Sequence, residues 1–216
     1  NMDFFRAEFG VFNGAGTNAN EFDNFKEFVG RVGVQVPLSE ASPIAIDLGV
    51  SGYFGNVRSN SKDIFVNGEP SPGVMGFIKN TDTANVGKGL ARTHLGTDLQ
   101  IYYDVPSLGG LIFRGEYIMG KQPGTVSSTV SPSSQPTSAL YKRKFSGWYL
   151  NLVQNIGGNE QVVLKYDVYD PNTNANASDF IPASGLTVAD IKYSTFGIGF
   201  IHHWDANVKF VFYYET

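Results

Sequence analysis

Cysteine is missing from the 216-residue chain, so no disulfide staples it, no thiolate can hold a metal, and its redox compartment is left open. Also missing is any run of roughly 18 apolar residues, the minimum for a helix that spans a bilayer. Neither sign of charge dominates. The 16 Lys and Arg stand against 20 Asp and Glu, a net charge of -4, which offers no basic footprint for nucleic acid. Long stretches of Leu, Ala, Glu and Lys, from which helices are built, do not occur. No charged and apolar leader precedes Asn1-Met2-Asp3-Phe4, so an export signal is expected upstream or already removed.

What is abundant is 25 Gly, 17 Phe and 11 Tyr, a composition of sheets and turns that favours one all-β unit over residues 1–216. The lack of a spanning helix does not exclude a membrane, because β-barrels cross with strands of about 10 residues whose apolar positions merely alternate.

The stretch "FSGWYLNLVQNIGGNEQVVLKYDVYDPN" shows that alternation. Trp148, Leu150 and Leu152 stand at every second position, Ile156-Gly157-Gly158-Asn159 turns the chain, and Val162, Leu164, Tyr166 and Val168 resume the step. Matching the period of two along the chain predicts about nine strands. They lie near Phe4–Phe12, Phe25–Val36, Ile44–Gly55, Val86–Asp104, Leu111–Lys121, Tyr141–Asn155, Gln161–Asp170, Ile191–His202 and Asn207–Glu215.

The connections between them alternate long and short: 13–24, 37–43, 56–85, 105–110, 122–140, 156–160, 171–190 and 203–206. Pro37, Pro43, Pro106, Gly109-Gly110, Gly157-Gly158 and Asp205 supply turn chemistry to the short ones. The long ones are polar, as in "QPGTVSSTVSPSSQPTS". Such alternation is expected of an up-and-down barrel in an outer membrane, with short periplasmic turns and long outer loops.

One strand face is almost free of charge, carrying for example Phe9, Val32, Val50, Leu95, Met119, Leu150, Leu164, Ile198 and Phe212. A lipid-facing band must be so, since Arg or Lys at mid-bilayer costs about 2–4 kcal/mol. The opposite face holds Arg6, Glu8, Glu27, Arg31, Asp47, Lys88, Arg92, His94, Asp98, Arg114, Glu116, Arg143, Lys165, Asp167, Lys209 and Glu215. So many ions cannot line a dry core; they are expected to face water. The reading is an all-β, transmembrane, antiparallel up-and-down β-barrel. An odd strand count would close with a parallel seam, and open edges in lipid leave backbone groups unsatisfied, so the chain is expected to be part of a larger barrel.

The phrases "GRVGVQVPL", "FRGEYIMGK", "FSGWYLNLVQNIG", "LKYDVYDPN" and "FGIGFIHHWDANVKFVFYYE" resemble the C-terminal portion of the phosphate-selective porin O/P type family in its Bacteroidetes form. The resemblance runs from Arg31 to Glu215, with Gly147-Trp148-Tyr149, Lys165-Tyr166-Asp167 and Asp170-Pro171-Asn172 as its most specific pieces. It implies an outer-membrane barrel of about 16 strands, often a homotrimer, that admits small solutes. Members with anion preference carry a run of lumen Arg and Lys. Here carboxylates nearly match the cations, so weak charge selectivity is expected instead.

The selectivity candidates facing the lumen are Arg31, Lys88, Arg92, His94, Asp98, Arg114, Glu116, Lys165 and Asp167. Charged rings sort permeating solutes by sign; the alternative is a cross-strand ladder between the Arg114/Glu116 strand and the Arg92/His94/Asp98 strand that only stiffens the wall. His202-His203 point to opposite faces of a strand and cannot share a metal, which makes them an interfacial turn beside Trp204. "YDPNTNANASD" lacks the spacing of a calcium loop and reads as a solvated turn-rich segment. Asp82-Thr83-Ala84 matches a short O-glycosylation pattern associated with Bacteroidetes. "GAG" at Gly14–Gly16 has no helix behind it to cradle phosphate, and no Ser–His pair suggests catalysis.

The chain is therefore expected to be no enzyme, to need no cofactor or metal, and to reside in the bacterial outer membrane. Its expected partners are lipid, lipopolysaccharide, further copies or other outer-membrane proteins. It would pass small hydrophilic solutes or ions, with residues 56–85 or 122–140 folding inward to narrow the pore. The rivals are an accessory barrel plugged by its loops inside a larger complex, and a soluble β-sandwich adhesin.

Overall fold

A computed structural model describes residues 4–15, 20–36, 43–129 and 134–216. Among these the chain is all β, with four single-turn 3-10 segments and no α-helix. The strands are β1 (Phe5–Phe12), β2 (Glu27–Val36), β3 (Ile44–Arg58), β4 (Asp63–Ser71), β5 (Val74–Thr81), β6 (Gly89–Val105), β7 (Gly109–Gly124), β8 (Leu140–Ile156), β9 (Glu160–Asp170), β10 (Tyr193–His203) and β11 (Lys209–Glu215). All nine expected strands are present with small changes at their ends, and each pairs antiparallel with the next along the path β1-β2-β3-β6-β7-β8-β9-β10-β11.

Two strands were not expected. Residues 56–85 read as a loop because their alternation is broken by Gly68, Pro70, Pro72 and Gly73, yet β4 and β5 form a hairpin there. That hairpin prolongs the β3/β6 ladder: Ser59 N donates to Lys88 O at 2.9 Å and Asp82 N to Lys62 O at 3.0 Å, bridging the two ladders. The ribbon then leans past β7. β4 pairs parallel with the start of β8, Ile64 opposite Leu140 and Phe65 opposite Tyr141, on the edge that β9 reaches only from Ser146.

The short connections have the backbone their sequences demand. Ser107 and Gly109 adopt positive φ in the β6–β7 turn, and Gly157 does so in the β8–β9 turn, a region costly for residues with a Cβ. The expected turn at Pro37 and the residue Gly16 lie outside the described residues.

The sheet is open among the described residues, with β1 and β11 as its edges. Among the described residues its middle has no second layer. Phe9 (79%), Val50 (55%), Leu150 (44%) and Phe212 (66%) are exposed on the uncharged face, and a monomer in water rarely leaves so large an apolar surface bare. The only apolar cluster of buried residues described, Val57, Ile64, Leu90 and Leu140 with Val66 packed against it, lies where the long strands meet the β4/β5 hairpin. The core sits at one end of the sheet rather than on either face.

Candidate functional site

Pairing register brings the polar series together on the face opposite the apolar one. Arg31 lies opposite Ser51, Asp47 opposite Gln100, and Asp98 opposite Gly49 and Glu116. Across these strands Arg31 Nη2 reaches Asp47 Oδ1 at 2.9 Å and Asp98 Oδ1 at 2.5 Å, while its Nε donates to Asp98 Oδ2 at 3.1 Å. Gly49 makes room for this triad, since any Cβ there would collide with the guanidinium and the Asp98 carboxylate. All three side chains remain about one-third exposed (32%, 27% and 33%), so the triad meets solvent and its pairing adds modest stability.

Toward the long-loop end a second network is buried. Arg92 donates to Glu27, and through Nε to the Tyr53 hydroxyl at 2.7 Å. His94 stacks on Tyr53 with ring centroids 5.0 Å apart, meets Phe145 edge-on at 5.1 Å, and places Nε2 3.0 Å from Gln122 Oε1. Further along, Lys165 bridges Asp167 (2.9 Å) and Glu215 (3.2 Å). Arg114 Nε donates to Gln100 Oε1 at 3.0 Å, and Glu116 stands opposite Tyr149 in register. Lys88 precedes β6, exposed, with no side-chain partner among the described residues.

Of the ladder weighed as the alternative between β6 and β7, the bond from Arg114 to Gln100 is present, while the ion pairs run elsewhere. Asp98 turns to Arg31 on β2 rather than to Arg114, and Arg92 turns to Glu27 on β2. The cause is length: a guanidinium can cross an intervening strand where glycine leaves space, whereas Glu116 directly opposite Asp98 can only repel it.

The centre that residue pattern missed is Arg143. Its neighbours Lys142 and Lys144 point to the other face, and Arg143 itself is buried. Its Nε donates to Asp190 Oδ1 at 2.7 Å, Nη1 to Thr125 O at 2.7 Å and Nη2 to Val126 O at 3.1 Å. The rings of Phe77 and Tyr141 lie within 5.3 and 5.4 Å of its guanidinium carbon. Asp190 also accepts from Asn172 Nδ2 (3.0 Å) and Thr187 N (3.0 Å). One cation thus ties β8, β5 and the segments after β7 and β9 together.

That segment after β9 departs from expectation in part: "YDPNTNANASD" is anchored by Asn172, fully buried, and Asp179, 4% exposed, while Thr173 and Asn176, Ala177 and Ser178 are exposed. Asp179 accepts from Asn176 N (2.8 Å) and Met75 N (3.0 Å), and these backbone donors hold its carboxyl below the usual aspartate range. Asp63 is held low likewise by Lys79 (2.8 Å) and Thr81 (2.6 Å). Asp170 does cap a turn, accepting from Asn172 N at 3.1 Å. His202 and His203 make separate contacts, to Glu160 (3.1 Å) and Gln161 (3.5 Å). No cluster of three or more His, Asp or Glu able to hold a metal occurs among the described residues.

The arrangement is a polar wall of balanced charge, crossed at its long-loop end by packed loops. Compared with known proteins, the chain matches no family model, no curated protein and no solved structure.

Proposed function

We propose that the chain forms part of the wall of an outer-membrane β-barrel porin, of the phosphate-selective porin O/P type that its strand phrases resemble, and passes small hydrophilic solutes or ions by diffusion. One observation carries this reading: a nine-strand antiparallel path with no covering layer among the described residues, apolar and almost free of charge on one exposed face and ion-paired on the other. Lipid is the solvent that suits the first face and water the second. The long strands suit it too, since β3, β6, β7 and β8 run 15 to 17 residues, longer than the ~10 a bilayer requires.

Selectivity in this reading is weak. Arg31 is matched by Asp47 and Asp98, Arg92 by Glu27, and Lys165 by Asp167 and Glu215, so a permeating ion meets little net field. Phe77 of β5 rests on Arg143 and Tyr141 of the water-facing side of β8, which makes the 56–85 hairpin the element that narrows the channel.

That same packing favours a second reading, an accessory barrel plugged by its loops within a larger assembly. Single-channel recording in planar bilayers with a salt gradient separates the two. Discrete conductance steps with a reversal potential near zero are expected; a protein that inserts, never conducts and co-purifies in a stable complex would establish the plugged form.

A further inference from the structure

Three lysines interrupt the apolar face near its long-loop end. Lys121 on β7 lies directly opposite Lys144 on β8, and Lys142 follows opposite Pro123. All three are exposed, and none forms an ion pair among the described residues. They share the outward face with Met119, Tyr117 and Trp148, which lie one or two pleats toward mid-sheet and are themselves exposed. Beside them is a cleft of about 320 Å³, walled by Val66 and Asn67 of β4 and by Asn174.

Like charges directly opposite on a sheet repel one another. An acid in the neighbouring register would relieve them, and Asp170 stands there, opposite Ser146. Its carboxylate is instead engaged with the backbone N–H of Asn172 at 3.1 Å. Asn67 is engaged as well, donating to Lys142 O at 3.1 Å. Lys121, Lys142 and Lys144 thus line a concave space together with buried Arg143, whose own counter-ion is Asp190, and no acid among the described residues lines it.

We propose that this cleft binds the phosphate monoester of a lipid headgroup. A phosphate oxyanion accepts short charge-assisted hydrogen bonds from several lysines at once. The cleft opens over apolar side chains, which suit an acyl chain and are of no use to a free anion. Its height fits too, since basic residues flanking an apolar band recruit anionic headgroups. The inference rests on reading the apolar face as lipid-facing, and adds to it a specific headgroup chemistry.

The test titrates the purified protein in neutral detergent with phosphatidic acid, phosphatidylcholine and inorganic phosphate, counting bound lipid by native mass spectrometry. Phosphatidic acid should bind at least about tenfold tighter than phosphatidylcholine, and K121Q/K142Q/K144Q should abolish that preference while conductance in planar bilayers stays unchanged. K121Q alone should weaken it partway, which keeps the test decisive if the triple variant folds poorly. A preference that survives both variants overturns the proposal. So does displacement of the lipid by inorganic phosphate at matching concentration, which would make the cleft a free-anion site. A protein that stays monodisperse without detergent and binds neither lipid overturns the lipid-facing reading along with this one; a protein that inserts and conducts but shows no phosphate preference overturns this one alone.

Discussion

The same strands live in two different environments along their length. In mid-sheet, Val50 and Leu150 project bare on one side, and the Arg31–Asp98 pair on the other is about one-third exposed. At the long-loop end, Leu140 is completely buried and the Arg143–Asp190 pair has side-chain exposures of 6% and 0%. Mid-sheet, the chain leaves both faces for its surroundings to cover and relies on the backbone ladder. At the loop end it covers itself, as a small water-soluble domain does.

Breaking the loop end should have the largest effect. Arg143→Met leaves Asp190 charged and buried without its cation, a loss of about 3–5 kcal/mol by analogy with other buried pairs. Limited proteolysis should then cut within 171–190 and the β4/β5 hairpin, while far-UV circular dichroism of the wall stays unchanged. Loss of the whole β signal would mean that the two regions do not fold separately.

A charge placed in mid-sheet should discriminate the faces. Leu150→Arg should cost about 2–4 kcal/mol in lipid vesicles, read from urea-driven unfolding, and Asn151→Arg, one residue on and facing the other way, well under half of that. Equal costs would erase the assignment of one face to lipid and the other to water.

Arg31→Gln removes a partly exposed cation, so stability should fall by less than about 1 kcal/mol. It also frees Asp47 and Asp98, so the reversal potential in a salt gradient should move toward cation preference. No movement would place the triad outside the conduction path.

The smallest effect concerns acid. Folding lowers the pKa of Asp179, so the stability it lends is complete above the ordinary aspartate value, about pH 4, and is lost as pH falls through the lower folded value. Proteolytic protection of 171–190 should hold at neutral pH and weaken below about pH 4, and Asp179→Asn should remove most of that pH dependence.

Legibility in the sequence divides along the same line as the environments. Trp148, Leu150 and Leu152 reveal their face because a strand's period of two is a local property, readable from residues two apart. The opposite face followed for the same reason, so Arg31, Arg92, His94, Asp98, Arg114, Glu116, Lys165 and Asp167 all came out on one side of the sheet. Their partners did not follow. Arg31 and Asp98 are separated by 67 positions and Arg92 and Glu27 by 65, and nothing in either neighbourhood names the other. Polar composition also concealed the packing of "YDPNTNANASD", since Asn and Asp that cap turns in water and those that satisfy a buried arginine look alike in sequence.

By itself, then, the sequence determined the nine strands of the main path, the short turns and which side chains share a face, because these depend on neighbours a few residues apart. Tertiary structure alone decided that the 56–85 segment becomes a hairpin against β8, that Arg143 meets Asp190 across 47 positions, and that three lysines converge beside a cleft. Those outcomes depend on which strand ends the sheet's register brings side by side, and register is a property of the paired chain rather than of any one stretch of it.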